Sequence, residues 1–205
     1  MMQPQPASAI DFNVLIQRIR RLLTLDTSVF EEVRTDRSAT IPAIVVAAAA
    51  TLLFGLGGWL WWVLQDIPDS GDIFIKSVIF GSIASMALWG ISVAVTYVML
   101  TQLFRARVDV NELVRVMGFA AAPLGVGVLM FIPAIEFGVA LTAVALFFGA
   151  TVIAVQTATD AAPGRVLAAC GAGFLVWAVV LGLLVGDENA YAPGIFVFDV
   201  GVEFL

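Results

Sequence analysis

With 205 residues, 61% of them hydrophobic and only 13% charged, and with a mean hydropathy of +1.02, the chain lies outside the range of soluble domains. It has no histidine and one cysteine, Cys170 in an apolar run, which excludes a disulfide framework and a cysteine or histidine metal site. The net charge of −6 hides a segregation of acids from bases along the chain, and a basic nucleic-acid patch has no support.

In chain order, Met1 to Ala7 is polar and proline-bearing and lacks the basic start and apolar core of a secretory signal, so it reads as a disordered tip. From Ser8 or Asp11, the residues Phe12, Leu15, Ile16, Ile19, Leu22 and Leu23 recur at helical spacing with Arg18, Arg20 and Arg21 between them. This predicts an amphipathic basic helix over about 9–25. It is too short to cross a bilayer and either lies in the headgroup layer, which is preferred, packs on the membrane domain or docks a partner. Each cation gains on the order of 1 kcal/mol near anionic lipid. Asp26, Thr27 and Ser28 offer caps for a second short helix, about 28–36, with Phe30 and Val33 inward and Glu31, Glu32, Arg34 and Arg37 outward.

Five spans follow, at about 41–64, 73–104, 111–135, 137–157 and 166–186, so the fold class is an all-α polytopic membrane bundle preceded by a cytoplasmic region, 1–40. Thr40 is the expected cap of the first span, and Pro42 suits its first turn. Trp59, Trp61 and Trp62 mark its interfacial end, and Lys76 snorkels at the start of the over-long second span. Asp109 is expected to cap the third span, with Glu112 reaching back and Val108 and Leu113 as a staple. Pro123, with Gly118 before it, predicts a kink. The tail, 187–205, is acidic, and from Ile195 onward it alternates with a strand period.

Charge sets the orientation. All nine arginines fall on one side of these five crossings and only Lys76 on the other, which places the N-terminus in the cytoplasm and the C-terminus outside. Arg18, Arg20, Arg21, Arg105, Arg107 and Arg115 are the candidate contacts for lipid headgroups or a protein partner. Gly81 with Ser85 and Gly118 with Ala122 have small-xxx-small spacing and are assigned to helix packing, with homo-oligomerisation as the alternative. Ser82, Ser85, Ser92, Thr96, Thr101 and Gln102 of span two are read as spread over several helix faces, making packing hydrogen bonds rather than lining a path. The spans supply no nucleophile with a base and no metal with ligands, so neither an enzyme nor a cofactor is expected.

Three segments carry a family resemblance: VFEEVRTDRSATIPAIVV from Val29 to Val46, LFRARVDVNELVRVMGFAAAPL from Leu103 to Leu124, and AVQTATDAAPGRVLAA from Ala154 to Ala169. In these the chain resembles the Yip family of multi-pass proteins, named for interacting with Ypt/Rab GTPases. The resemblance implies five spans with a cytosolic N-terminus and no catalytic residues. The short N-terminal region, without the acidic, glycine-proline motif of eukaryotic relatives, points to a prokaryotic member in the cell membrane. The expected function is non-enzymatic, a membrane-organising or partner-binding factor. The alternatives are a transporter, channel or lipid-moving protein, or an accessory subunit of a larger membrane complex.

Overall fold

The computed structural model describes residues 11–65, 70–186 and 189–190, so the N-terminal tip and the alternating C-terminal tail lie outside the described residues. Seven helices run through the described part, and five of them are long and apolar enough to cross a bilayer. Helix α1, Phe12–Leu23, starts where the Asp11 carboxylate accepts the amides of Asn13 and Val14 at 3.0 and 3.3 Å. It ends in a left-handed turn at Leu25, φ 63°, where the Asp26 N–H donates to the Arg21 carbonyl and the Leu25 N–H to that of Leu22. Helix α2, Ser28–Thr35, begins where Asp26 accepts the Ser28 amide and hydroxyl, and it buries Val29, Phe30 and Val33 completely.

A 3-10 turn, Arg37–Ala39, leads into α3, Thr40–Leu64. The expected cap at Thr40 is corrected here. Asp36 caps the turn by accepting the Ser38 amide at 2.9 Å, so the chain is already helical on reaching Thr40, whose hydroxyl donates to the Arg37 carbonyl. Helix α4, Gly71–Leu103, contains two π-helical stretches, Phe74–Gly81 and Met99–Leu103. Lys76 near its start pairs with Asp72 at 2.6 Å. Its other end turns at Arg105, φ 53°. Helix α5, Val110–Ala120, is continued by a 3-10 segment, Ala122–Phe131, and then come α6, Glu136–Thr157, and α7, Pro163–Leu184.

The third span is the centre of the bundle: 72% of its most apolar window is buried, against 33% for the fourth and fifth spans. Its 3-10 half packs most extensively on α3 and α6, while α4 packs on α7. Close approach on α3 depends on missing side chains. A Cβ on Gly118 would lie 2.6 Å from the Ala43 carbonyl oxygen, and one on Gly127 would collide with the Phe54 ring.

The α4 hydroxyls also differ from expectation. Ser82, Ser85, Ser92 and Thr96 are all buried on a single face, because steps of three and four residues keep them in line along the α-helical stretch Ser82–Val98. Thr101 and Gln102 lie in the second π-helical stretch, and including them is what made the set look dispersed. Trp177 Nε1 donates to Ser85 Oγ at 3.2 Å, and a Cβ on Gly173 would meet the Ser92 carbonyl oxygen at 2.8 Å. The seam is therefore closed by direct packing.

Candidate functional site

The arginine-bearing end of the bundle is built in two layers. In the inner layer Arg18, 8% exposed, donates through Nε to Glu32 and through Nη2 to Asp36, each at 2.8 Å, with its guanidinium 6.0 Å from the centroid of the Phe119 ring. The pairing joins α1 to α2 and the ring joins both to α5. Arg21 donates to Asp26, Glu32 and the Ser28 hydroxyl, all at 2.8 Å. Arg115, 6% exposed, sends Nε and Nη2 to the Arg34 backbone carbonyl at 3.1 and 2.6 Å. Arg34 itself pairs with Glu31 at 3.1 Å and Glu112 at 3.5 Å.

That last pair corrects the capping box at Asp109. The Asp109 carboxylate does accept the Asn111 and Glu112 amides at 2.7 and 3.2 Å, but the Glu112 side chain turns to Arg34 instead of reaching back. A charged partner on α2 outweighs a neutral backbone amide.

These contacts leave an electrostatic trace. The Ser28 hydroxyl and then Arg21 hold the Asp26 carboxyl at about 2. Burial works to raise Glu32 and Asp36, and hydrogen bonds outweigh it, from Arg18 and Arg21 on Glu32 and from Ser38 and Arg18 on Asp36, so both stay below their ordinary values. Asp109 is lowered by the helix amides of Glu112 and Asn111.

In the outer layer Arg20, Arg105 and Arg107 are exposed and enter no ion pair among the described residues. The backbone of Arg107 is held in place: its N–H donates to the Asp160 carboxylate at 2.8 Å, and an isolated antiparallel bridge between Val108 and Thr159 ties the loop after α4 to the loop after α6. Arg165 in the first turn of α7 lies over the Phe104 ring, 6.0 Å from its centroid, a contact between chain segments too distant in sequence to read from spacing.

The six candidate contact arginines thus divide. Arg18, Arg21 and Arg115 are engaged by their own chain, while Arg20, Arg105 and Arg107 face outward. On α1 only Leu15, Arg18 and Leu22 are buried, and Phe12, Ile16 and Leu23 stay 66%, 55% and 51% exposed beside Arg20. The helix both packs on the bundle and presents an apolar ridge. At Gly118 and Pro123 the hydrogen bonding changes from α to 3-10: the Ala121 N–H reaches the Gly118 carbonyl and the Leu124 N–H that of Ala121. Gly81, Ser85, Gly118 and Ala122 are all buried. Gly118 lies against α3 and Ser85 bonds α7.

A family model described as Yip1 domain matches residues 20–186, which contains α2 and all five spans. No curated protein and no solved structure matches the chain.

Proposed function

Since the chain belongs to the Yip family of multi-pass membrane proteins, we propose that it works by association and not by catalysis, as a membrane-organising factor that gathers anionic lipid headgroups on its cytoplasmic side. The N-terminus is cytoplasmic in this reading, because all nine arginines fall on that side of five crossings. The inner arginines fix α1 and α2 to the bundle, and the outer ones recruit. The carrying observation is the exposure of Arg20, Arg105 and Arg107 without ion pairs among the described residues, Arg20 standing beside the exposed apolar ridge of α1. Such a combination suits an interface where apolar groups enter the acyl boundary and cations meet headgroups.

The test is enrichment of fluorescent phosphatidylglycerol around the reconstituted protein, read by energy transfer from tryptophan. Arg20→Gln, Arg105→Gln and Arg107→Gln together should abolish most of the enrichment, each arginine contributing about 1 kcal/mol. Unchanged enrichment in the folded triple variant rejects the proposal. A conducting pathway along the α4 hydroxyls is the rival reading. The tight contact of Gly173 with Ser92 disfavours it, and solute flux through protein-containing liposomes would revive it.

A further inference from the structure

We infer that the turn joining α1 to α2, together with spans three and four, forms a binding groove for one acyl chain of a membrane phospholipid. The groove has a volume of about 230 Å³ and is walled by Leu23 at the end of α1 and Leu25 of the turn, Phe119 and Pro123 of the third span, and Leu146 and Ile153 of α6. Its polar lining comes from Asp26 and Thr27 at the turn, and Asp26 is already engaged by Arg21 and Ser28. Water could fill roughly eight molecular volumes there but would find too few partners to stay.

Three observations select an acyl chain as the occupant. First, Leu146 and Ile153 are 39% and 46% exposed and belong to the outer face of a membrane span, so the groove opens on the bilayer. Second, Gly149 on its wall lies eight residues before the end of α6 at Thr157, about 12 Å along the axis, which is acyl rather than headgroup depth in a span of this length. Small residues make the room: a Cβ at Gly149 would meet nothing within 4 Å. Third, Leu25 holds a left-handed backbone, φ 63°, where glycine would be unstrained, and is 74% exposed. A leucine strained in φ and left uncovered by its own chain is suited to contact with lipid.

The inference does not depend on headgroup charge, so it stands or falls apart from the anionic-lipid reading. The probe is phosphatidylcholine with a diazirine in one acyl chain, in vesicles of phosphatidylcholine alone, with labelled peptides mapped after irradiation. Labelling should concentrate on Leu22 to Thr27 and Leu146 to Ile153 rather than on the exposed α7 face at Leu175 and Val179. Gly149→Leu, which fills the groove into open space, should lower that labelling about tenfold, equivalent to withdrawing about two methylenes from apolar contact. Leu25→Gly relieves the backbone strain while removing a wall, so it should lower labelling with the melting temperature kept or raised. Even labelling of all outward faces, no response to either variant, or cross-linking of the turn to α6 of a second copy would each overturn the inference.

Discussion

Arg18 and Arg20 stand two residues apart on one helix and illustrate the two layers of the arginine-bearing face. Arg18 is buried between Glu32, Asp36 and the Phe119 ring, while Arg20 points away from the bundle with no ion pair among the described residues. Arg115 and Arg107 repeat the contrast around the start of α5. Positive charge in a sequence therefore gathers at one end of the bundle, which both members of each pair share, and says nothing of whether the charge is spent inside the protein or offered outside.

The contrast can be broken hardest from beneath. Gly118→Val should push α5 off α3 at Ala43 and dismantle the floor on which the inner layer rests, destabilising by about 3 kcal/mol, read as detergent-solubilised thermal unfolding. A fully stable variant would show that the helices do not cross this closely. Arg115→Met should cost about 2 kcal/mol, because it leaves the Arg34 carbonyl without its charged donor, and protease sensitivity of the α1 to α2 region should rise with it. If neither changes, the clamp does not hold the inner layer.

Acid sharpens the comparison. Asp26, Glu32 and Asp36 have folded pKa values below their unfolded ones, so their stabilisation is present at pH above about 4. It is lost as pH falls from there toward 2. Proteolysis of α1 should thus be flat from pH 8 to pH 5 and increase below pH 4, whereas loosening already at pH 6 would place the hold elsewhere. The smallest effect belongs to the outer layer: Arg20→Gln, Arg105→Gln and Arg107→Gln together should change stability by less than about 0.5 kcal/mol each, since surface substitutions without partners rarely do more. A large loss of stability would move these residues into the inner layer.

Much of the architecture was legible in the chain. The long apolar runs gave five candidate spans, the amphipathic helix expected from Ser8 or Asp11 begins at Phe12, the cap expected at Asp109 precedes a helix from Val110, and Phe30 and Val33 face inward on α2 as expected. These are local signals: a span needs only uninterrupted apolar length, and a cap needs only a carboxylate ahead of free amides. The candidate site was half legible. Its residue types and their gathering at one end of the bundle could be read, but Glu112 was assigned to its own helix when it faces Arg34, and Thr40 was made a cap when Asp36 had already started the helix. In each case the deciding group lies on another element or in a preceding turn whose geometry has no sequence period. The groove beside Leu25 had no signal at all, since it is a space between elements.

Sequence alone determined that the chain has five segments long and apolar enough to cross a bilayer and carries its arginines together, because hydropathy and charge act on each segment independently of its neighbours. Only the tertiary structure decided which arginines pair, which glycines are filled by a facing backbone and where an opening remains. Those outcomes depend on closeness between residues as far apart in the chain as Leu25 and Ile153, and such closeness exists only once the helices have packed.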